Sequence, residues 1–131
     1  MTPQREEAQR FLRLAKRDQT AFAALLNTSA VDVAVACFHA QQAAEKALKA
    51  VMCLHGMEFR RTHDLEALAD LLRAVDVVPP VDGHALRCLT PYAVEFRYDD
   101  ETIHLISGEA AGQLIGLLLA WTEEQIASQR N

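Results

Sequence analysis

A single long helical signal, DVAVACFHAQQAAEKALKAVMCLHG, runs from Asp32 to Gly56 and leaves few ways for a chain of 131 residues to fold. Strong helix formers dominate this segment, and neither proline nor an internal glycine interrupts it. Its length of about 24 residues gives a helix of roughly 36 Å. Ser29 followed by Asp32 resembles a weak capping box, and Gly56 stands where a helix ends. We therefore predict a central helix around which the other elements pack.

A helical wheel divides this central helix into an apolar seam and a polar strip. The seam contains Val33, Cys37, Ala40, Ala44, Leu48 and Val51. The polar strip is formed by Gln42, Glu45, Lys46 and Lys49. Alanine covers much of the remaining surface, so other helices can approach closely on more than one side.

Four further helices are predicted on either side of the central one. They span Pro3–Leu26, Asp64–Val75, Asp82–Phe96 and Ser107–Ser128. Pro91 is expected to kink or interrupt the third of them, and the short turn at 27–29 makes the first helix an antiparallel neighbour of the central one. Only 6% of the residues are aromatic, which suits helices better than sheets. We predict an all-α fold in one domain over residues 1–131, an antiparallel four- or five-helix up-and-down bundle.

The last predicted helix has apolar residues around much more than one face. They are Leu114, Ile115, Leu117, Leu118, Leu119, Trp121 and Ile126. A helix that is apolar nearly all round must be covered nearly all round. Either it is the core helix of a monomer or a second copy of the chain covers it, and we favour a two-fold homodimer.

Charge and cysteine usage exclude several classes of protein. The net charge of −5 argues against a broad electrostatic grip on nucleic acid, although it leaves room for a local basic patch. The three cysteines form no CxxC motif and indicate a reducing cytoplasm. Residues 1–17 are too charged for a secretory signal, and the longest apolar run, Leu114–Trp121, is too short to span a membrane.

The first candidate site lies on the polar strip of the central helix. Glu45 and Lys49 are spaced i,i+4 in the favourable order, so they can form a solvated ion pair that contributes a few tenths of a kcal/mol, roughly, to stability. Alternatively, Lys46 and Lys49 are a pair of lysines that faces a phosphate. The spacing alone leaves both interpretations open.

The second candidate opens the short helix near residue 64. Arg60 and Arg61 form an exposed basic pair that suits an acidic ligand. Thr62 or Asp64 can cap the helix, and His63 either hydrogen-bonds the preceding turn or belongs to the site.

The third candidate pairs an arginine with a histidine. Arg97 precedes His104 by seven positions, which on one helix would bring both side chains to the same face. The guanidinium could then stabilise charge on a phosphorane while the imidazole moves a proton, without a metal ion. Glu101 and His104 form a Glu-x-x-His of the type used twice in di-iron bundles, but one copy cannot build that centre, so we expect neither a metal nor a cofactor.

Three segments together resemble the HEPN domain, named for higher eukaryotes and prokaryotes nucleotide-binding. They are FHAQQAAEKALKAVM at Phe38–Met52, the Thr62–Leu65 step, and TPYAVEFRY at Thr90–Tyr98. The resemblance covers the chain from about Gln4 to Gln125.

The resemblance implies a helical bundle that dimerises and that is encoded beside a minimal nucleotidyltransferase, as in toxin-antitoxin pairs. It implies a nucleotide- or RNA-binding groove near the dimer interface, with Lys46, Lys49, Arg60, Arg61 and Arg97 contacting phosphates. Supporting polar groups would be Glu45, His63 and Tyr98. Alternatively, the chain is a metal-independent endoribonuclease toxin in which Arg97 and His104 are catalytic, or a purely structural interaction domain.

The match to the nuclease motif is partial. Six residues separate Arg97 from His104, the upper end of the family spacing, and Tyr98 stands where a polar residue usually follows the arginine. Three carboxylates at 99–101 would repel a phosphate beside them. Whether the chain is an enzyme stays open at this point.

Overall fold

The computed structural model describes residues 2–59, 61–94 and 106–129, and within these ranges the fold is all helical, as predicted. The elements are α1 (Pro3–Leu26), α2 (Val33–Leu54), α3 (Leu65–Arg73), α4 (Gly83–Leu89), a 3-10 helix (Thr90–Ala93) and α5 (Gly108–Ser128). None of these helices is long and apolar enough to cross a membrane.

The central helix α2 begins and ends at defined caps. The carboxylate of Asp32 accepts a hydrogen bond from the Ala34 amide at 2.9 Å, so Asp32 is itself the N-cap. The predicted capping box that begins at Ser29 is therefore wrong. At the other end Gly56 adopts φ +65°, a conformation that glycine reaches without steric cost, and its amide donates to the Cys53 carbonyl at 3.0 Å.

The two short helices are shorter than the sequence predicts. The Asp64 side chain caps α3 by accepting from the Ala67 amide at 3.1 Å, and α3 ends at Arg73, before the predicted Val75. The helix predicted over Asp82–Phe96 ends at Leu89. The 3-10 helix that follows contains Pro91, which has no amide hydrogen to continue an α-helix, so the predicted interruption at Pro91 is confirmed. Phe96 lies outside the described residues.

Helix α1 packs antiparallel to both α2 and α5. Near the start of α1, Arg5 contacts the Gln129 carbonyl at the end of α5, and further along Lys16 pairs with Glu123 at 2.6 Å. Helices α2 and α5 therefore run parallel to each other, with α3 and α4 forming the connection between them. Thr122 links these two long helices by donating to the Ala47 carbonyl at 3.2 Å.

Helix α2 is buried on almost every side, which the single apolar seam did not predict. Its small alanines allow α1, α3 and α5 to approach closely, and even Gln41 and Glu45 are 0% and 6% exposed. The largest fully buried apolar side chains are Leu48, Val51 and Met52 of α2 itself, and around it Leu65, Leu68, Leu72, Leu86, Leu89, Ile115 and Leu118. The core therefore surrounds α2, and the polar groups of α2 must find partners inside the protein.

Candidate functional site

The polar strip of α2 divides into two ionic clusters with different neighbours. Glu45 and Lys46 are consecutive residues and so point about 100° apart around the helix axis. Glu45 and Lys49 face the segment that precedes α3, whereas Lys46 faces α1. The two lysines therefore do not act as one phosphate-facing pair in this structure.

The first cluster, which we call the Glu45 cluster, consists of Gln41, Glu45, Lys49 and His63. One Glu45 oxygen lies 2.7 Å from His63 Nδ1 and 3.3 Å from Gln41 Nε2, and the other accepts from Lys49 Nζ at 2.9 Å. Gln41 also donates to the His63 carbonyl at 3.0 Å. Helix α2 thus holds both the ring and the backbone of His63.

The ionised form of Glu45 is stabilised although the carboxyl is buried. Burial raises the pKa of Glu45, but hydrogen bonds from His63, Lys49 and Gln41, together with the Lys49 charge, outweigh burial and lower the pKa below its ordinary value. Glu45 is therefore a carboxylate at neutral pH.

Lys49 lies mostly buried within this cluster. Only 13% of its side chain is exposed, and its Nζ lies 5.3 Å from the centre of the Phe59 ring as well as against Glu45. Phe59 in turn packs edge-on against Phe11 of α1, with ring centres 6.0 Å apart. The predicted Glu45–Lys49 ion pair is present, but the prediction that solvent surrounds it is wrong, because Phe59 and His63 pack against it.

The second cluster, the Asp18 cluster, joins α1 to α2. One oxygen of Asp18 lies 3.0 Å from His39 Nδ1, and the other accepts from Lys46 Nζ at 2.5 Å. These three side chains lie beside an open cleft of about 310 Å³ that Leu14, Arg17 and Ala21 complete. The α1–α2 cleft therefore gathers three basic side chains around one carboxylate.

The sequence pattern does not mark Asp18, His39 or Arg17 as parts of a candidate site. Asp18 and Arg17 are charged residues of the kind found on the solvent-exposed face of any helix. Asp18 and His39 also lie 21 positions apart in the sequence, so no local spacing connects them. A seven-residue spacing places His39 and Lys46 on one face of α2 and could have indicated the pair. The carboxylate that joins them comes from another helix.

Of the other predicted site residues, two lie before α3 and four lie outside the described residues. Arg61 and His63 are exposed before α3, and His63 bonds Glu45 rather than the preceding turn. Arg60, Arg97, Tyr98 and His104 lie outside the described residues.

The histidine, cysteine and acidic side chains of the described residues do not cluster in threes, and Cys37 belongs to the core. The described part of the chain therefore contains no group of three His, Cys, Asp or Glu side chains that could hold a metal ion. Cys37 is buried, and that burial raises the pKa of its thiol to about 11, so Cys37 is a protonated core residue at neutral pH.

The fold and the two ionic clusters define the class of this protein. It is an all-helical bundle whose central helix, α2, forms ion pairs with the segments packed on two of its sides. A comparison with protein-family models matches the HEPN domain over residues 6–125, which is most of the chain. The chain therefore belongs to the HEPN domain family, as the resemblance in Phe38–Met52 predicts. No curated protein and no solved structure matches it.

Proposed function

We propose that this HEPN domain binds the phosphates of a nucleotide or of RNA in the α1–α2 cleft. The observation that carries the proposal is the convergence of Arg17, His39 and Lys46 on one open concave surface. Asp18 contacts both His39 and Lys46, but its single negative charge offsets only one positive charge of the cleft. The cleft thus supplies the local basic patch that a chain of net charge −5 needs to hold an anion.

Binding is tested by calorimetry with adenine nucleotides and by fluorescence anisotropy with labelled single-stranded RNA. Arg17→Ala and Lys46→Met are each expected to weaken binding about tenfold, the effect of losing one charge-assisted hydrogen bond. Arg13→Ala is the matched control, because Arg13 is an exposed arginine of α1 that does not line the cleft. Equal affinities of the Arg13 and Arg17 variants would argue against the cleft.

We further propose that the chain acts beside a minimal nucleotidyltransferase, as one half of a two-gene pair. Family membership supports this proposal, since HEPN domains of this size commonly accompany such enzymes. Co-expression with the product of an adjoining gene, followed by purification on a tag carried by that product, is expected to recover both chains in fixed ratio. Recovery of the tagged product alone would contradict the pairing.

The alternative function is metal-independent RNA cleavage by Arg97 and His104. The Arg-x6-His spacing within the matched region favours it, and the carboxylates at 99–101 oppose it. If it holds, the wild-type chain cleaves RNA in excess EDTA and arrests growth when expressed, and His104→Ala abolishes both effects. His84→Ala, a change at an exposed histidine of α4, serves as the control. RNA that stays intact with wild-type protein would eliminate this function and leave binding alone.

A further inference from the structure

The contact between Glu45 and His63 determines which nitrogen of the imidazole can accept a proton. A carboxylate can only accept hydrogen bonds, and its oxygen lies 2.7 Å from His63 Nδ1. Nδ1 therefore carries the hydrogen. In the neutral ring Nε2 is consequently the bare nitrogen, a hydrogen-bond acceptor.

This imidazole is rigidly held and open to ligands. Gln41 and Lys49 fix the Glu45 carboxylate, and Gln41 also bonds the His63 backbone. The His63 side chain is nevertheless 56% exposed. No side chain of the described residues forms a hydrogen bond with Nε2. The molecule thus presents an oriented acceptor at its surface, supported by a buried carboxylate.

The charges around His63 indicate what kind of ligand fits. Glu45 and Lys49 neutralise each other, and the Asp64 carboxylate caps the N-terminus of α3, where the helix dipole offsets part of its negative charge. Arg61 is exposed two positions before His63 and carries the remaining positive charge. An acceptor nitrogen beside a cation suits a ligand with a hydroxyl group next to an anionic group. A ribose phosphate has both.

Helix α2 connects the Glu45 cluster to the proposed phosphate site. Lys46, which lines the α1–α2 cleft, is the next residue after Glu45, and about 100° of the α2 surface separates them. A nucleotide or RNA strand whose phosphate lies in the cleft can extend across the polar strip toward His63.

We propose that His63 Nε2 accepts a hydrogen bond from the ribose 2′-hydroxyl of the bound ligand, so that this protein selects ribonucleotides over deoxyribonucleotides. The 2′-hydroxyl is the group by which proteins distinguish RNA from DNA. Glu45 is a positioning residue that acts through His63. This inference rests on the proposed phosphate binding, and it adds recognition of the ribose to that binding.

The test compares three single-stranded oligoadenylates of equal length: RNA, DNA and 2′-O-methyl RNA. The 2′-O-methyl strand keeps the ribose oxygen but has no hydrogen to donate, so it isolates the proposed contact. Wild-type protein is expected to bind RNA more tightly than either other strand by on the order of 3- to 10-fold, the contribution of one net hydrogen bond. His63→Ala is expected to bind all three strands equally while its affinity for DNA stays unchanged.

Two further variants separate positioning from simple structural support. Glu45→Gln can offer either a donor or an acceptor to Nδ1, so the preference for RNA is expected to shrink although DNA binding persists. His55→Ala, at an exposed histidine that caps α2, is expected to keep the full preference. Nitrogen-15 NMR of the imidazoles reports the tautomer directly and is expected to show His63 protonated at Nδ1 in wild type.

The outcomes distinguish this inference from the proposed function. Equal binding of RNA and DNA by wild type, a preference that survives His63→Ala, or a His63 ring protonated at Nε2 alone would each overturn the inference and leave phosphate binding intact. Absence of binding to all three strands would overturn this inference, and absence of binding to adenine nucleotides as well would also overturn the proposed function.

Discussion

Glu45 shows how a single residue can have two roles that sequence spacing does not separate. Its i,i+4 relation to Lys49 is typical of a surface ion pair, yet both side chains are buried by the segment that precedes α3. A buried carboxylate is costly unless donors surround it, and here Lys49, Gln41 and His63 supply them. The same contacts that keep the charge inside also orient His63.

Glu45 is expected to make stability depend on pH. Its pKa in the folded state is lowered, so its contribution is present above the unfolded pKa of about 4.5 and is lost as the pH falls through the folded value. Urea unfolding at pH 7 and at successively lower pH measures this. Glu45→Gln is expected to cost about 2 kcal/mol at pH 7 and to lose less stability than wild type on acidification. Parallel pH curves for the two proteins would contradict the assignment.

Thr122 is a second buried polar residue with a defined role. Its hydroxyl lies within hydrogen-bond distance of the Ala47 and Leu118 carbonyls, and the residue is 0% exposed. Thr122→Val keeps the shape and is expected to lower the free energy of unfolding by about 1 kcal/mol. Thr20→Val is the control, because Thr20 bonds Lys16 in the same i−4 manner but is exposed, and its loss is expected within about 0.5 kcal/mol of zero. Equal losses of unfolding free energy in the two variants would mean that the hydrogen bond from Thr122 to α2 does not contribute to stability.

At the scale of elements, capping side chains mark the residues at which the helices begin. Asp32, Asp64, Asp82 and Ser107 each accept a backbone hydrogen bond at the start of a helix. These side chains are local sequence signals, which is why most predicted helix starts lie within a residue of the observed ones. The end of α4 is also marked locally, because Pro91 interrupts the helix that the sequence predicts over Asp82–Phe96.

Two glycines are expected to respond oppositely to the same substitution. Gly116 lies within α5, and a Cβ there would meet nothing within 4 Å, so Gly116→Ala is expected to stabilise the protein by about 0.5–1 kcal/mol. Gly56→Ala forces alanine to φ +65° and is expected to destabilise it by about 1 kcal/mol. Thermal unfolding followed by circular dichroism measures both. Shifts of the same sign would refute the conformational argument.

At the scale of the whole molecule, one large apolar side chain of α5, that of Leu117, stays exposed after the bundle has formed. Leu117 is 57% exposed, and the small residue Ala120 is exposed beside it. Helices α1 and α2 cover the opposite face of α5, where Leu118 and Ile115 are buried. We propose that a second copy of the chain covers the outer face, as the apolar pattern of this helix predicts.

Dimerisation is expected to depend on this face. Sedimentation analysis of wild type should give twice the chain mass of 14.5 kDa, and Leu117→Glu should give the monomer mass, because a charge on that face opposes burial. Val78→Glu controls for the added charge, since Val78 is 64% exposed in the loop after α3. A monomeric wild type would mean that there is no dimer interface. A dimeric Leu117→Glu variant would place the interface on another surface.

The amino-acid sequence by itself determined the helices, the all-α class and the family. Helix propensity, capping side chains and apolar periodicity are local properties, and they carried the predictions for α1, α2 and α5 nearly to the residue. The tertiary structure alone decided which polar side chains come together in the candidate site. Asp18 meets His39 and Lys46, and Glu45 meets His63, because separate helices bring distant residues into contact. Spacing along one helix cannot show which neighbour covers a polar side chain or whether solvent reaches it.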